Sequence, residues 1–150
     1  MAALHFLLPT FVLLSAASAQ QAPPAIGGEI QKLPDCSQLG ASALPKKIRE
    51  RLSTGVVVAA GNMKYDCNLE GFASIFLSNR SLYQVYTANM NIIQSEFEDV
   101  KTKDYKVRAF IRKAVKSWAD LFFEIKGERS LFGCNYKLDG KKYKVVCLYM

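Results

Sequence analysis

Histidine is almost missing from this chain, which contains only His5. Residues 1–19 also lack Asp, Glu, Lys and Arg. They run apolar from Phe6 to Leu14 around Pro9 and close on the small residues Ala17-Ser18-Ala19. That pattern predicts a secretory signal peptide over residues 1–19, cleaved before Gln20, with the terminal amine supplying the positive charge of its n-region. Cleavage takes the lone histidine away. The remaining chain then has no imidazole to act as a base near neutral pH or as a nitrogen ligand. A Ser or Cys nucleophile has no histidine partner, and no Gly-rich phosphate loop is present. Long apolar runs are equally scarce. After residue 19 none reaches the roughly 18 residues needed to span a bilayer, so no transmembrane anchor is expected and the protein should be secreted and extracellular.

Cysteine is limited to Cys36, Cys67, Cys134 and Cys147, widely spaced and with no CxxC pair, which argues against a metal site. An even count in an oxidising compartment reads as two disulfides, and the sequence alone leaves three pairings open. By length the mature chain is one domain: an irregular arm over 20–34, marked by Pro23-Pro24 and Gly27-Gly28, then a folded body over 35–150.

What the chain does have is positive charge, +7 in all, and none of it lies in the first 19 residues. Such a balance favours acidic partners. Three clusters are candidate anion-binding sites: Lys46, Lys47 and Arg49; Arg112, Lys113 and Lys116; and Lys141, Lys142 and Lys144. The plain alternative for each is a solvated face. Asn79-Arg80-Ser81 is an N-glycosylation acceptor if Asn79 is exposed in a secreted chain.

Apolar spacing predicts a first helix over Leu44–Leu52, with Pro45 in its first turn and Gly55 ending it. Val56–Ala60 reads as either a strand or a packed connection. Leu69, Phe72, Ala73, Phe76 and Leu77 predict a helix capped by Asp66 or Asn68 and ending near Asn79. Residues 82–103 show no clear period, so their acidic group, Glu96, Glu98 and Asp99, is expected in a solvated loop rather than a calcium site. A long amphipathic helix is predicted from Tyr105 to Ile125. Leu131–Lys137 and Lys142–Tyr149 flank an Asp-Gly turn signal, which predicts a hairpin that brings Cys134 near Cys147.

Several motifs resemble the CAP superfamily, in its short and divergent nematode form related to activation-associated secreted proteins. Arg49-Glu50-Arg51-Leu52-Ser53-Thr54-Gly55 resembles the first-helix pattern RxxLAxG, and Asn62-Met63-Lys64-Tyr65-Asp66-Cys67-Asn68-Leu69-Glu70 with Ala73 resembles NMxYDCxLExxA. Ala114-Val115-Lys116-Ser117-Trp118 is similar to AVxxW. Phe132-Gly133-Cys134 with Tyr143-Lys144-Val145-Val146-Cys147-Leu148-Tyr149 resembles the closing GC…YxVVCxY. The resemblance implies an α+β fold, a shortened CAP-like three-layer α-β-α sandwich over 35–150, with a C-terminal disulfide-linked β-hairpin. It pairs Cys134 with Cys147 and leaves Cys36 for Cys67.

Many CAP domains hold two His and two Glu around a cleft. By resemblance the first His position falls on Pro45, the first Glu near Met90 and the second Glu on Leu121 beside Asp120; the second His belongs to a segment this chain lacks. No enzyme, metal or cofactor is therefore expected. The resemblance implies a secreted, non-catalytic protein that binds a host macromolecule, such as a protein or receptor, at a host–parasite interface. Two alternatives are a lipid or sterol carrier with an apolar pocket and a sulfated-glycan binder using the basic clusters. No nucleic-acid partner is expected.

Overall fold

The computed structural model describes residues 32–150, so the signal peptide predicted over 1–19, His5 and most of the irregular arm predicted over 20–34 lie outside the described residues. A 3-10 segment over Ser37–Ser42 leads into α1, Lys46–Ala60. Pro45 is the residue before this helix rather than part of its first turn. Its carbonyl accepts the N–H groups of Ile48 and Arg49, at 2.8 and 3.0 Å. The helix does not stop at Gly55, because that glycine faces Val115, and a Cβ there would lie 2.9 Å from Val115 Cγ2. It is a place of close helix approach. Val56–Ala60 is therefore neither a strand nor a connection but the last turn of α1. Gly61, at φ 96°, ends the helix by donating to the Val57 carbonyl.

After β1, Lys64–Tyr65, comes α2, Cys67–Ser78, with Asp66 accepting the Leu69 N–H at 2.9 Å as the sequence predicts. The segment expected to be irregular instead forms α3, Arg80–Thr87, and β2, Ile93–Val100. The period of α3 was concealed because Tyr83 is its one buried anchor, while Leu82, Val85 and Tyr86 stay exposed. That of β2 was concealed because polar Ser95 and Asp99 share the face of Ile93 and Phe97. Ser95 Oγ meets Tyr149 Oη at 2.9 Å, and Asp99 accepts from Tyr105 Oη at 2.9 Å.

The long predicted helix is two: α4, Val107–Ser117, and α5, Ala119–Ile125. Trp118 leaves helical geometry at the junction, φ −95° and ψ 11°, where Ser117 Oγ donates back to the Ala114 carbonyl at 2.7 Å. The hairpin of β3, Leu131–Asp139, and β4, Lys142–Tyr149, is as predicted. Its turn centres on Gly140-Lys141, with Asp139 paired to Lys142 and Gly140 at φ 57°, which suits glycine in the first central position.

The sheet runs β1-β3-β4-β2, antiparallel except for the short β1–β3 pairing. Strand β4 is the spine of the sandwich. Tyr143, Val145, Cys147 and Tyr149 join α1, α4 and α5 in one core, whereas Val146 and Leu148 join α2 and α3 in the other. Strands buried on both faces read as near-continuous apolar runs, which is what Tyr143–Tyr149 shows. The α-β-α layering and the hairpin disulfide are those implied by the CAP resemblance. Cys36 bonds Cys67, and Cys134 bonds Cys147 with Cα atoms 4.1 Å apart.

Candidate interaction surface

Two polar groupings stand out among the described residues, one buried cluster and one exposed strand. The buried cluster is built on Glu70, fully enclosed in α2. Its carboxylate accepts from Leu44 N at 2.6 Å, Arg49 Nε at 2.7 Å, Arg49 Nη2 at 2.8 Å and Tyr65 Oη at 2.5 Å. Hydrogen bonding to Glu70 raises the Arg49 pKa further, and burial, then Glu70, raises that of Tyr65. Every lone pair of the carboxylate is engaged, so the cluster holds elements together and has no free group for chemistry.

The exposed strand is β2, at the edge of the sheet. Lys101 N–H donates to the Lys141 carbonyl at 2.7 Å just beyond it, so the odd-numbered residues turn their peptide groups toward β4. Glu96 turns the other way, and its carbonyl accepts the Trp118 indole N–H at 3.1 Å. By the alternation of an antiparallel ladder, the peptide groups of Gln94 and Glu98 and the N–H of Glu96 face outward. Two open grooves flank this edge. One, about 580 Å³, lies toward α4 between Phe97, Glu98, Asp99, Lys113, Lys116 and Ser117. The other, about 480 Å³, lies toward the α2–α3 junction and includes Phe76, Arg80, Glu96 and Lys144.

The acidic group expected in a loop is thus on β2, and each carboxylate has a cation. Asp99 takes Lys113 Nζ at 2.6 Å, Glu98 takes Lys142 Nζ at 2.8 Å, and Glu96 takes Arg80, whose guanidinium lies 4.3 Å from the Phe76 ring centroid. Lys113 and then Tyr105 hold the Asp99 pKa below the usual carboxylate value, and Lys142 does the same for Glu98. Burial, with Asp99 beside it, pushes Tyr105 up to about 12.

The three basic clusters do not merge. Arg49 is no surface residue: it is 3% exposed and bound to Glu70, which corrects its assignment as an anion-binding candidate. The sequence showed only its proximity to Lys46 and Lys47, not that it lies on the inward face of α1. Lys46 lies 4.0 Å from Glu50, and Lys144 pairs with Asp139 at 3.0 Å. Arg112, Lys113 and Lys116 belong to α4, on one side of the sheet, whereas Lys142 and Lys144 alternate with Tyr143 and Val145 and point to the other. Among the described residues, Lys47, Arg112, Lys116 and Lys141 have no carboxylate within 4.0 Å. Asn79 is exposed, at the junction of α2 and α3. The edge of β2 went unrecognised in the sequence, where only Ile93 and Phe97 hint at its alternation because polar Ser95 and Asp99 share their face.

A sequence model for "Ancylostoma-associated secreted protein related" matches residues 36–149, nearly all of the described chain. The chain belongs to that family. The membership bears out the CAP resemblance. Among solved structures, the fold of this Ancylostoma-associated secreted protein related chain is similar to Ancylostoma-secreted protein Ac-ASP-7. The TM-score is 0.54 at 17% identity, covering 71% of this chain and 69% of that one. Manganese-bound Ac-ASP-7 gives 0.53 at 17% identity, covering 73% and 72%. A crystal structure of NaASP2 with Zn2+ gives 0.48 at 17% identity, covering 79% and 83%. No curated protein sequence matches. At 17% identity the two Ac-ASP-7 likenesses concern the fold alone. Among the described residues no three His, Cys, Asp or Glu side chains gather around a common point. Nor is any helix among the described residues long and apolar enough to cross a membrane.

Proposed function

We propose that this protein is secreted and non-catalytic, and that it binds an extended segment of a host protein along the free edge of β2. The observation that carries the reading is that edge itself. It has outward peptide groups at Gln94 and Glu98 and a groove on either side, with Phe97 lining both. An added strand gains main-chain hydrogen bonds from such an edge, while the flanking grooves read alternate side chains. Paired carboxylates and the Trp118 indole discourage a second copy of the same acidic strand. Family membership supports secretion through the family's description as secreted proteins.

The test is a binding screen of the oxidised mature chain against host extracellular proteins, followed by Glu98→Pro and Glu98→Ala. Because the Glu98 N–H points outward, proline removes a free donor without breaking the β2–β4 ladder. Binding lost in Glu98→Pro and kept in Glu98→Ala supports edge addition. A ligand held equally by both variants rules it out.

A further inference from the structure

We infer that Asn79 carries an N-linked oligosaccharide whose first sugars lie along the exposed apolar face of α3. Three observations converge on it. Asn79 is exposed and heads the acceptor triplet Asn79-Arg80-Ser81. Its Oδ1 accepts the Leu82 N–H at 3.0 Å, which leaves Nδ2 with no hydrogen-bond partner among the described residues. The third is what stands beside it. Leu82, Val85 and Tyr86, spaced three and four apart, form one stripe of α3 with exposures of 39, 71 and 55%. An apolar stripe left in water on an eight-residue helix calls for a cover, and a sugar attached at Asn79 starts within one turn of Leu82. Sugar rings have apolar faces that stack on aromatic and aliphatic side chains, so a covalently tethered glycan meets Tyr86 at high effective concentration.

The chemistry is a single displacement. Asn79 Nδ2 attacks the anomeric carbon of an oligosaccharide carried on a polyprenyl diphosphate. The nitrogen–carbon bond forms, the carbon–oxygen bond to the diphosphate breaks, polyprenyl diphosphate departs, and Nδ2 gives up one proton. The inference rests on the secretion reading, since that donor is met only along the secretory route. A glycan at Asn79 also stands at the rim of the groove holding Ser78 and Arg80.

The experiment uses the full chain made in a eukaryotic secretory host, once with its own residues 1–19 and once behind a foreign leader. Ser81→Ala, which leaves the Asn79 cap in place, serves as the unglycosylated reference. The expected result is a hexose-bearing Asn79 peptide, removable by a glycan amidase and absent from Ser81→Ala. Hydroxyl-radical labelling of Tyr86 and Leu82 should be severalfold slower in the glycosylated protein, with Phe123 on α5, 86% exposed, unchanged. Bare Asn79 in protein released by the foreign leader overturns the site. Equal Tyr86 labelling in the two proteins overturns the cover. Release and glycosylation with the foreign leader only would support the site and overturn the secretion reading instead.

Discussion

Arg49 of α1 and Glu70 of α2 meet out of water in a two-point ion pair, Nε to Oε2 at 2.7 Å and Nη2 to Oε1 at 2.8 Å. The pair joins two helices on opposite sides of the sheet, and Arg49 Nη2 also donates to the Leu44 carbonyl at 2.9 Å. Removing one partner strands a charge that the protein cannot rehydrate. Arg49→Met or Glu70→Leu alone should each lose about 3–5 kcal/mol, whereas the double variant should lose much less than the sum. Urea unfolding of the four proteins measures the coupling; additive losses would contradict it.

Gly133 is the second tight point. A Cβ there would come within 2.5 Å of the Asp66 carbonyl oxygen and 2.7 Å of the Leu69 carbonyl carbon, and closer still to the Glu70 nitrogen. These are backbone atoms at the start of α2 and cannot rotate aside. Gly133→Ala should destabilise by about 3 kcal/mol, the upper end for overpacking. Gly55→Ala meets only the Val115 side chain and should cost less. Thermal melts of the two variants give the order.

Alkaline pH should weaken the fold. Burial raises the pKa of Tyr65 and Tyr149, and burial with Asp99 raises Tyr105 to about 12, all from an ordinary value of 10.0. Below pH 10 both folded and unfolded chains keep these protons, so the stabilisation is complete. As pH rises from 10 toward 12 the unfolded chain ionises first, and stability falls. Urea midpoints across that window, read beside tyrosinate absorbance, should decline together. A flat midpoint would refute the assignment.

Replacing both Cys134 and Cys147 by alanine should cost about 2–4 kcal/mol, since the bond closes a loop in the unfolded chain. The circular dichroism of the folded variant should stay native, because the hairpin pairing runs unbroken from Phe132 to Lys142. Denaturant titration of oxidised wild type against the variant reads the difference.

Most of the fold was legible because its signals were local: the Asp66 cap, the apolar period of α2, the Asp-Gly turn and the closing Tyr143–Tyr149 run. What escaped depended on distant residues. Gly55 looks like a stop signal until Val115 is known to press on it. Trp118 looks like one more apolar position in a helix until its indole is seen to reach the Glu96 carbonyl. Arg49 read as surface charge because its buried partner lies 21 residues away. The site was less legible than the fold, since an edge strand is defined by the neighbour it lacks.

Strand β4 gives its odd residues to one core and its even residues to the other, so its pairing with β3 has a handedness that a shift of a single residue would invert. Cys134 and Cys147 stand directly opposite each other, and their bond is incompatible with the shifted pairing. Once the sulfurs join, Val146 and Leu148 are held to α2 and α3, and which residues of β4 face which core is fixed.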